Sequence, residues 1–254
     1  MFIDIHCHLD DERLSDTSAV VSDFLSQKVS RAIFASCSDK SSEYGKNIAE
    51  EFEQIYFTAG FHPDEIERFN KENFEKVKKL CSHPKCVAVG EIGLDYHYEP
   101  YDKELQARVL IEQIKLANEM DLPVQIHSRD ATKDTFDILK ANPVKRGGVM
   151  HCYSGSVEMA KEYIKLGYYI SFSGVVTFKN GARAKEVAKA IPLDKILTET
   201  DCPYLSPEPL RGTLNSPKNV RLTTEYVAQL RGLTVEETAL AVMENAKRLF
   251  YKLK

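Results

Sequence analysis

The sequence predicts a (β/α)₈ barrel, and three observations predict it. Eight short runs rich in Val, Ile, Phe, Tyr and Ala read as buried strands. Nearly all of them are separated by a segment whose apolar residues recur at helical spacing, and strand–helix alternation implies a parallel sheet. The length, 254 residues, is that of one such barrel, so residues 1–254 are expected to form a single domain. The alternative is an open doubly wound sheet, but no G-x-G-x-x-G follows the first strand.

The first strand lies within residues 1–8, where Phe2, Ile3 and Ile5 are the buried positions. Val20, Val21, Phe24 and Leu25 form the apolar stripe of a helix over 17–28. Residues 31–36 are the second strand, and Ser38-Asp39 can cap a helix running to about 52. The third strand, 55–60, runs into Phe61-His62-Pro63; a Lys- and Glu-rich helix over 71–80 follows and reads as a solvated outer face. The fourth strand, 86–90, ends at Glu91. Leu105, Val109, Leu110, Ile114 and Ala117 mark the clearest helix, over 102–120. The fifth strand, 122–126, ends at His127, and Asp130 can cap a helix to about 140. The sixth, 147–150, ends at His151; a helix over 157–166 leads to the seventh, 168–172. Residues 182–190 are helical, the eighth strand spans 195–200 and runs into Asp201, and helices over 217–229 and from 235 finish the chain.

Composition narrows the function classes. Hydrophobic residues make up 43% and charged residues 28%, as in a globular protein with ample core. No apolar run is long enough to span a membrane. The sequence enters its first strand with no basic region before an apolar stretch, which argues against a secretory signal. Of the six cysteines, Cys7, Cys152 and Cys202 adjoin a histidine or aspartate, while Cys37, Cys81 and Cys86 show no zinc-finger spacing. This pattern fits packing in a reducing, cytoplasmic setting. The formal net charge of −4 excludes a surface that traps nucleic acid as a whole, so an anionic substrate must be held locally.

In such a barrel the C-terminal strand ends meet on one face, where active sites lie. Side chains alternate along a strand, so His6 and His8 point the same way and Cys7 the other. The third strand adds His62, the fourth Glu91, the fifth His127, the sixth His151 and the eighth Asp201. Five of the seven histidines thus fall at strand ends; His83 and His97 do not and read as loop residues. His6, His8, Glu91, His127, His151 and Asp201 are more ligands than one tetrahedral zinc ion needs. They suit two metals roughly 3.5–4 Å apart with Glu91 as the bridge. His6, His8 and Asp201 would complete one ion, and His127 and His151 the other. His62 is left over to face the substrate. His and carboxylate ligands accept zinc, magnesium, manganese, cobalt or nickel.

Seven blocks carry a resemblance. F-I-D-I-H-C-H-L-D at 2–10, A-G-F-H-P at 59–63, V-G-E-I-G-L-D-Y at 89–96, L-P-V-Q-I-H-S-R-D-A at 122–131, H-C-Y-S-G at 151–155, T-E-T-D-C-P-Y-L at 198–205 and R-G-T-L-N at 211–215 run in one order over nearly the whole chain. Together they resemble the TatD-related DNases, metal-dependent hydrolases of the amidohydrolase superfamily. The resemblance implies a barrel, two divalent metals and hydrolysis of phosphodiesters in DNA, with attack from the 3′ end. Many superfamily relatives carry a carbamylated lysine at the fourth strand; this chain has Glu91 there, as the TatD group does.

The expected nucleophile is a hydroxide activated by the two metals, with Asp201 holding or shuttling its proton. Charge developing on the phosphate needs donors. The candidates are His62, Arg129, Tyr153 and Arg211, with Asn215 in the same R-G-x-x-N block. An arginine can fork two bonds onto a phosphate, which suits Arg129; the competing reading is an ion pair with Asp130. Glu199 shares Asp201's face and is either a partner behind the ligands or a paired core carboxylate. Only Arg129, Arg211 and Lys179 are placed as cations for phosphates, so the expected substrate is a single strand or free end of DNA, with RNA also open. A small-molecule amidohydrolase and a metal-dependent scaffold without turnover are the competing classes.

Overall fold

In the computed structural model, which describes residues 1–254, eight strands pair side by side in one parallel sheet, in the order β1 to β8. They are β1 Phe2–Cys7, β2 Val29–Phe34, β3 Ile55–Ala59, β4 Cys86–Asp95, β5 Val124–Arg129, β6 Gly148–Met150, β7 Tyr168–Phe172 and β8 Ile196–Thr198. The sheet closes on itself just beyond β8. Cys7 pairs with Cys202, the Asp201 amide donates to the His6 carbonyl at 3.0 Å, and the His8 amide donates to the Cys202 carbonyl at 2.8 Å. Every residue of β1, β3, β4 and β7 is buried, as a parallel sheet covered on both faces requires.

The cover consists of nine helices: α1 Thr17–Ser26, α2 Asp39–Glu51, α3 Lys71–Cys81, α4 Lys103–Glu119, α5 Thr132–Ala141, α6 Val157–Lys165, α7 Ala182–Ala190, α8 Val220–Arg231 and α9 Val235–Leu249. Side chains start most of them: Asp16, Ser38, Asn70, Asp102 and Ser156 each accept an amide of the first turn, and Thr234 and Glu237 form a reciprocal capping box. No helix is long and apolar enough to cross a membrane. All six cysteines are free thiols.

Several expectations need correction. α1 stops at Ser26, and Leu25 is exposed while Val20, Val21 and Phe24 face the core. Asp130 does not cap α5; the N-cap is Ala131, with no side-chain bond, and the Asp130 carboxylate turns to His97 instead. The fourth and fifth strands run further than expected, to Asp95 and Arg129, so Glu91 and His127 lie within strands and not at their ends. The added length is a continuous ladder from Ile92 opposite Ile126 to Asp95 opposite Arg129. Gly93 makes it possible: a Cβ there would lie 1.9 Å from the His127 carbonyl oxygen.

A candidate metal centre at the barrel mouth

Glu91 stands at the centre of the cluster, and its two oxygens divide the histidines into two groups. Oε1 lies 2.8 Å from His151 Nε2, 2.9 Å from His127 Nδ1 and 3.7 Å from His62 Nε2. Oε2 lies 3.3 Å from His6 Nε2 and 3.7 Å from His8 Nε2. Asp201 completes the second group, with Oδ1 3.3 Å from His8 Nε2 and 3.6 Å from His6 Nε2. The His6 and His151 rings stack across the divide at 4.0 Å. The structure therefore brings together all six residues expected as ligands, and places His62 beside His127 and His151 around Oε1 as well.

The outer nitrogen of each ring fixes what its inner nitrogen offers. His8 Nδ1 lies 3.0 Å from the Ala35 carbonyl, which can only accept, so Nδ1 carries the proton and Nε2 turns a lone pair inward. His127 Nε2 lies 2.9 Å from the Asp95 carboxylate, leaving the Nδ1 lone pair inward. His151 Nδ1 lies 3.3 Å from the Glu199 carboxylate, leaving the Nε2 lone pair inward. His62 is the reverse. Its Nδ1 accepts the Asp64 amide at 3.1 Å, so a neutral His62 carries its proton on Nε2 and points a donor into the cluster. His6 has no partner on Nδ1. Three inward lone pairs beside two acceptor-only carboxylates fit divalent cations, and His62 fits an oxygen acceptor.

The electrostatics agree. Burial raises the Glu91 carboxyl, but His151 and His6 overrule it and hold it well below the usual carboxylate range. Burial also raises Asp201, and His8 and His151 bring it below normal. Burial lowers His151, His8 and His127, yet the surrounding acceptors leave all three above the ordinary imidazole value. The cluster thus attracts positive charge onto its inner nitrogens, where a cation would sit. His62 is the exception: burial and then His127 push it down to about 3, so it is neutral.

The other expected site residues fare unevenly. Arg129 is exposed and makes no pair with Asp130; its guanidinium lies 4.9 Å over the Tyr98 ring. Arg211 is exposed, 4.3 Å over the Phe178 ring, and Lys179 is exposed. Tyr153 is not a free donor: it is buried, its hydroxyl proton goes to the Ser156 carbonyl at 2.9 Å, and burial pushes its pKa up. Asn215 is not a substrate contact either. Fully buried, its amide donates to the Thr200 and Tyr204 carbonyls, and its oxygen accepts from Ser216 and Asn219, so it braces the loop after Asp201. Glu199 proves to be the partner behind His151 and also accepts the Cys152 amide at 2.7 Å. His83 lies away from the cluster, against Phe57. His97 is a loop residue as expected, just beyond the longer β4, and its Nδ1 lies 2.7 Å from the Asp130 carboxylate.

Apart from Glu199, sequence reasoning missed the residues that stand behind the candidate ligands. Asp95 holds His127 and is itself clamped by Gln106 of α4, which accepts its amide at 2.9 Å and donates to its carbonyl at 2.8 Å. Two turns on, Gln113 clamps Phe61 beside His62 in the same way, at 2.7 and 3.0 Å. Two buried glutamines seven residues apart on an apolar helix face were the available signal. Asp4 lies beneath His6 and accepts its amide and the Thr200 amide and hydroxyl; burial raises its carboxyl despite these donors.

Comparison with known proteins agrees with this geometry. The family model for TatD related DNase matches residues 3–251. An uncharacterized metal-dependent hydrolase of Bacillus subtilis, YabD, is 42% identical, over 98% of this chain and 99% of that one. Its Escherichia coli counterpart YcfH is 37% identical over 98% and 95%. The crystal structure of the TatD homologue YjjV from Escherichia coli superposes with a TM-score of 0.94 at 31% identity, covering 98% of each chain. By sequence, by fold and by the extent of the match, the chain belongs to the TatD-related DNase family.

Proposed function

We propose that this metal-dependent hydrolase holds two divalent ions and cleaves phosphodiester bonds in DNA, trimming single-stranded ends from the 3′ side. The observation that carries the reading is the division of Glu91's two oxygens between two ligand groups, with His62 alone presenting a proton to the same space. Divalent ions bound there, whether zinc, magnesium, manganese, cobalt or nickel, supply Lewis acidity and lower the pKa of water toward neutrality. Asp201, ionised and only partly buried, accepts a proton from the attacking water. His62 donates from Nε2 to a phosphoryl oxygen as charge builds there. Arg129 forks onto the neighbouring phosphate, and Arg211 meets the strand further out. The 3′ polarity follows the family resemblance, and RNA is the neighbouring polymer the same chemistry admits.

The test is to strip the protein with chelator, reload it with each metal, and assay it on end-labelled single-stranded DNA and RNA beside a panel of small esters and lactones. Metal-dependent shortening of DNA from the 3′ end is expected. Turnover of the small esters with no cleavage of either polymer would overturn the reading in favour of a small-molecule hydrolase.

A further inference from the structure

Two exposed tyrosines stand at the mouth, and each has an arginine over its ring. Tyr98 is 64% exposed, with the Arg129 guanidinium 4.9 Å from its ring centre. Tyr204 is 54% exposed, with the Arg13 guanidinium 5.2 Å away. Arg13 is oriented by a two-pronged pair with Asp11, at 2.8 Å for each prong. Each tyrosine follows a site carboxylate by three residues: Tyr98 follows Asp95, which holds His127, and Tyr204 follows Asp201. The strand order fixes where they lie. Tyr98 and Arg129 extend β4 and β5, whereas Tyr204 and Arg13 follow β8 and β1, and in a closed eight-stranded ring those pairs lie opposite each other. The ligand cluster lies between them.

We infer that Tyr98 and Tyr204 are base-stacking platforms that hold a single strand across the mouth, with the phosphate to be cut between them. This rests on the DNA-cleaving reading of the site and names the residues that grip the strand. An exposed aromatic ring is unfavourable in water; a guanidinium over each ring, and at Tyr98 also the His97 ring edge-on at 4.6 Å, fixes its tilt, and the surface still exposed can take a nucleobase. Every base has such a face, so stacking is tolerant of sequence and suits an enzyme that trims any strand. The chain carries a net charge of −4, so stacking must supply affinity that a basic groove would otherwise provide. Beside Tyr98, Tyr96 and Tyr101 stack at 5.2 Å with Lys103 4.4 Å from the Tyr96 ring centre, which stiffens the loop that bears the platform.

The test compares the metal-loaded wild type with Tyr98→Ala, Tyr204→Ala and the two Tyr→Phe variants. The substrates are a single-stranded oligonucleotide and the same strand with abasic residues next to the scissile phosphate. Tyr251→Ala is the control, because Tyr251 also carries an arginine over its ring, Arg146 at 4.7 Å, but belongs to the opposite end of the barrel. Each alanine variant should raise KM about five- to a hundredfold, with the loss in KM rather than kcat, and phenylalanine should restore it. Abasic residues should raise the wild-type KM at least as much, and in each single variant should add only the loss at the platform that remains. Alanine variants with KM within twofold of wild type, or an abasic strand cut as well as the normal one, would overturn the platforms. If the wild type cuts no DNA, the functional reading falls, and binding decides the platforms separately. Quenching of a 2-aminopurine strand by wild type but not by Tyr98→Ala or Tyr204→Ala would support them; no quenching would overturn them.

Discussion

At the scale of single residues, a hydrogen's position separates ligand from donor. His62 and His127 flank the same Glu91 oxygen, yet the Asp64 amide sets the proton of one inward and the Asp95 carboxylate sets that of the other outward. His62→Ala should therefore keep its full metal content and lose about ten- to a hundredfold in turnover, since a charge-assisted bond to phosphate is worth roughly 1.5–3 kcal/mol. Glu91→Ala should lose metal from both groups at once. Elemental analysis beside turnover checks both, and loss of metal from His62→Ala would reverse the assignment. The six candidate ligands were legible in the sequence because metal-binding residue types recur toward the C-terminal halves of the strands, although Glu91 and His127 lie within theirs. The polarity of each ring was not, because it is set by Ala35, Asp64, Asp95 and Glu199, which meet the rings only in the fold. Tyr153 and Asn215 were misjudged for the same reason: a motif shows a polar side chain but not whether a carbonyl nearby already occupies it.

At the scale of elements, α4 acts as a splint. Gln106 and Gln113 replace missing ladder partners for Asp95 and Phe61 and so hold His127 and His62 at a distance. Gln113→Leu would strand an amide and a carbonyl inside the protein. It should cost about 2–4 kcal/mol in a denaturant titration, and a cost under about 0.5 kcal/mol would show the clamp to be idle. A second element gives a pH dependence. His83, between α3 and β4, is half-buried against Phe57, and burial holds its pKa below the ordinary imidazole value despite Glu50 nearby. The fold favours the neutral ring, so this contribution to stability is complete above about pH 6.5 and is lost as pH falls through the lowered folded value. Replacing it as His83→Gln should flatten the fall of Tm over that acid window relative to wild type. Identical slopes would refute the assignment. The periodicity of α4 was plain from Leu105, Val109, Leu110, Ile114 and Ala117, but the overrun of β4 and β5 was not. It depends on Gly93 tolerating the His127 carbonyl, a contact between strands that no single segment reveals.

At the scale of the whole molecule, charge limits how a strand can be gripped. Arg129, Arg211 and Lys179 are the exposed cations expected to meet phosphate, and the net charge is −4. Each phosphate neutralised on a single strand steepens the log–log salt dependence by about 0.7, so two or three contacts give a slope near about −2. Circular single-stranded DNA should resist cleavage while the linear form shortens stepwise. A steep slope, or rapid cutting of the circle, would point to a wrapped groove instead. The barrel itself was legible because eight strands alternate with helices. The residues of its seam were not, since Cys7 and Cys202 are far apart in the sequence and pair only in the fold.

That seam has a consequence for how the protein is made. A ribosome releases His6 and His8 first and Asp201 only after most of the chain has emerged, yet the Asp201 amide must reach the His6 carbonyl to close the ring. Contacts so distant in sequence form late and slowly. An unfinished chain, or one cut short before Asp201, holds His6 and His8 with nothing to complete their group, so the candidate metal centre comes into being only once the last strand has emerged.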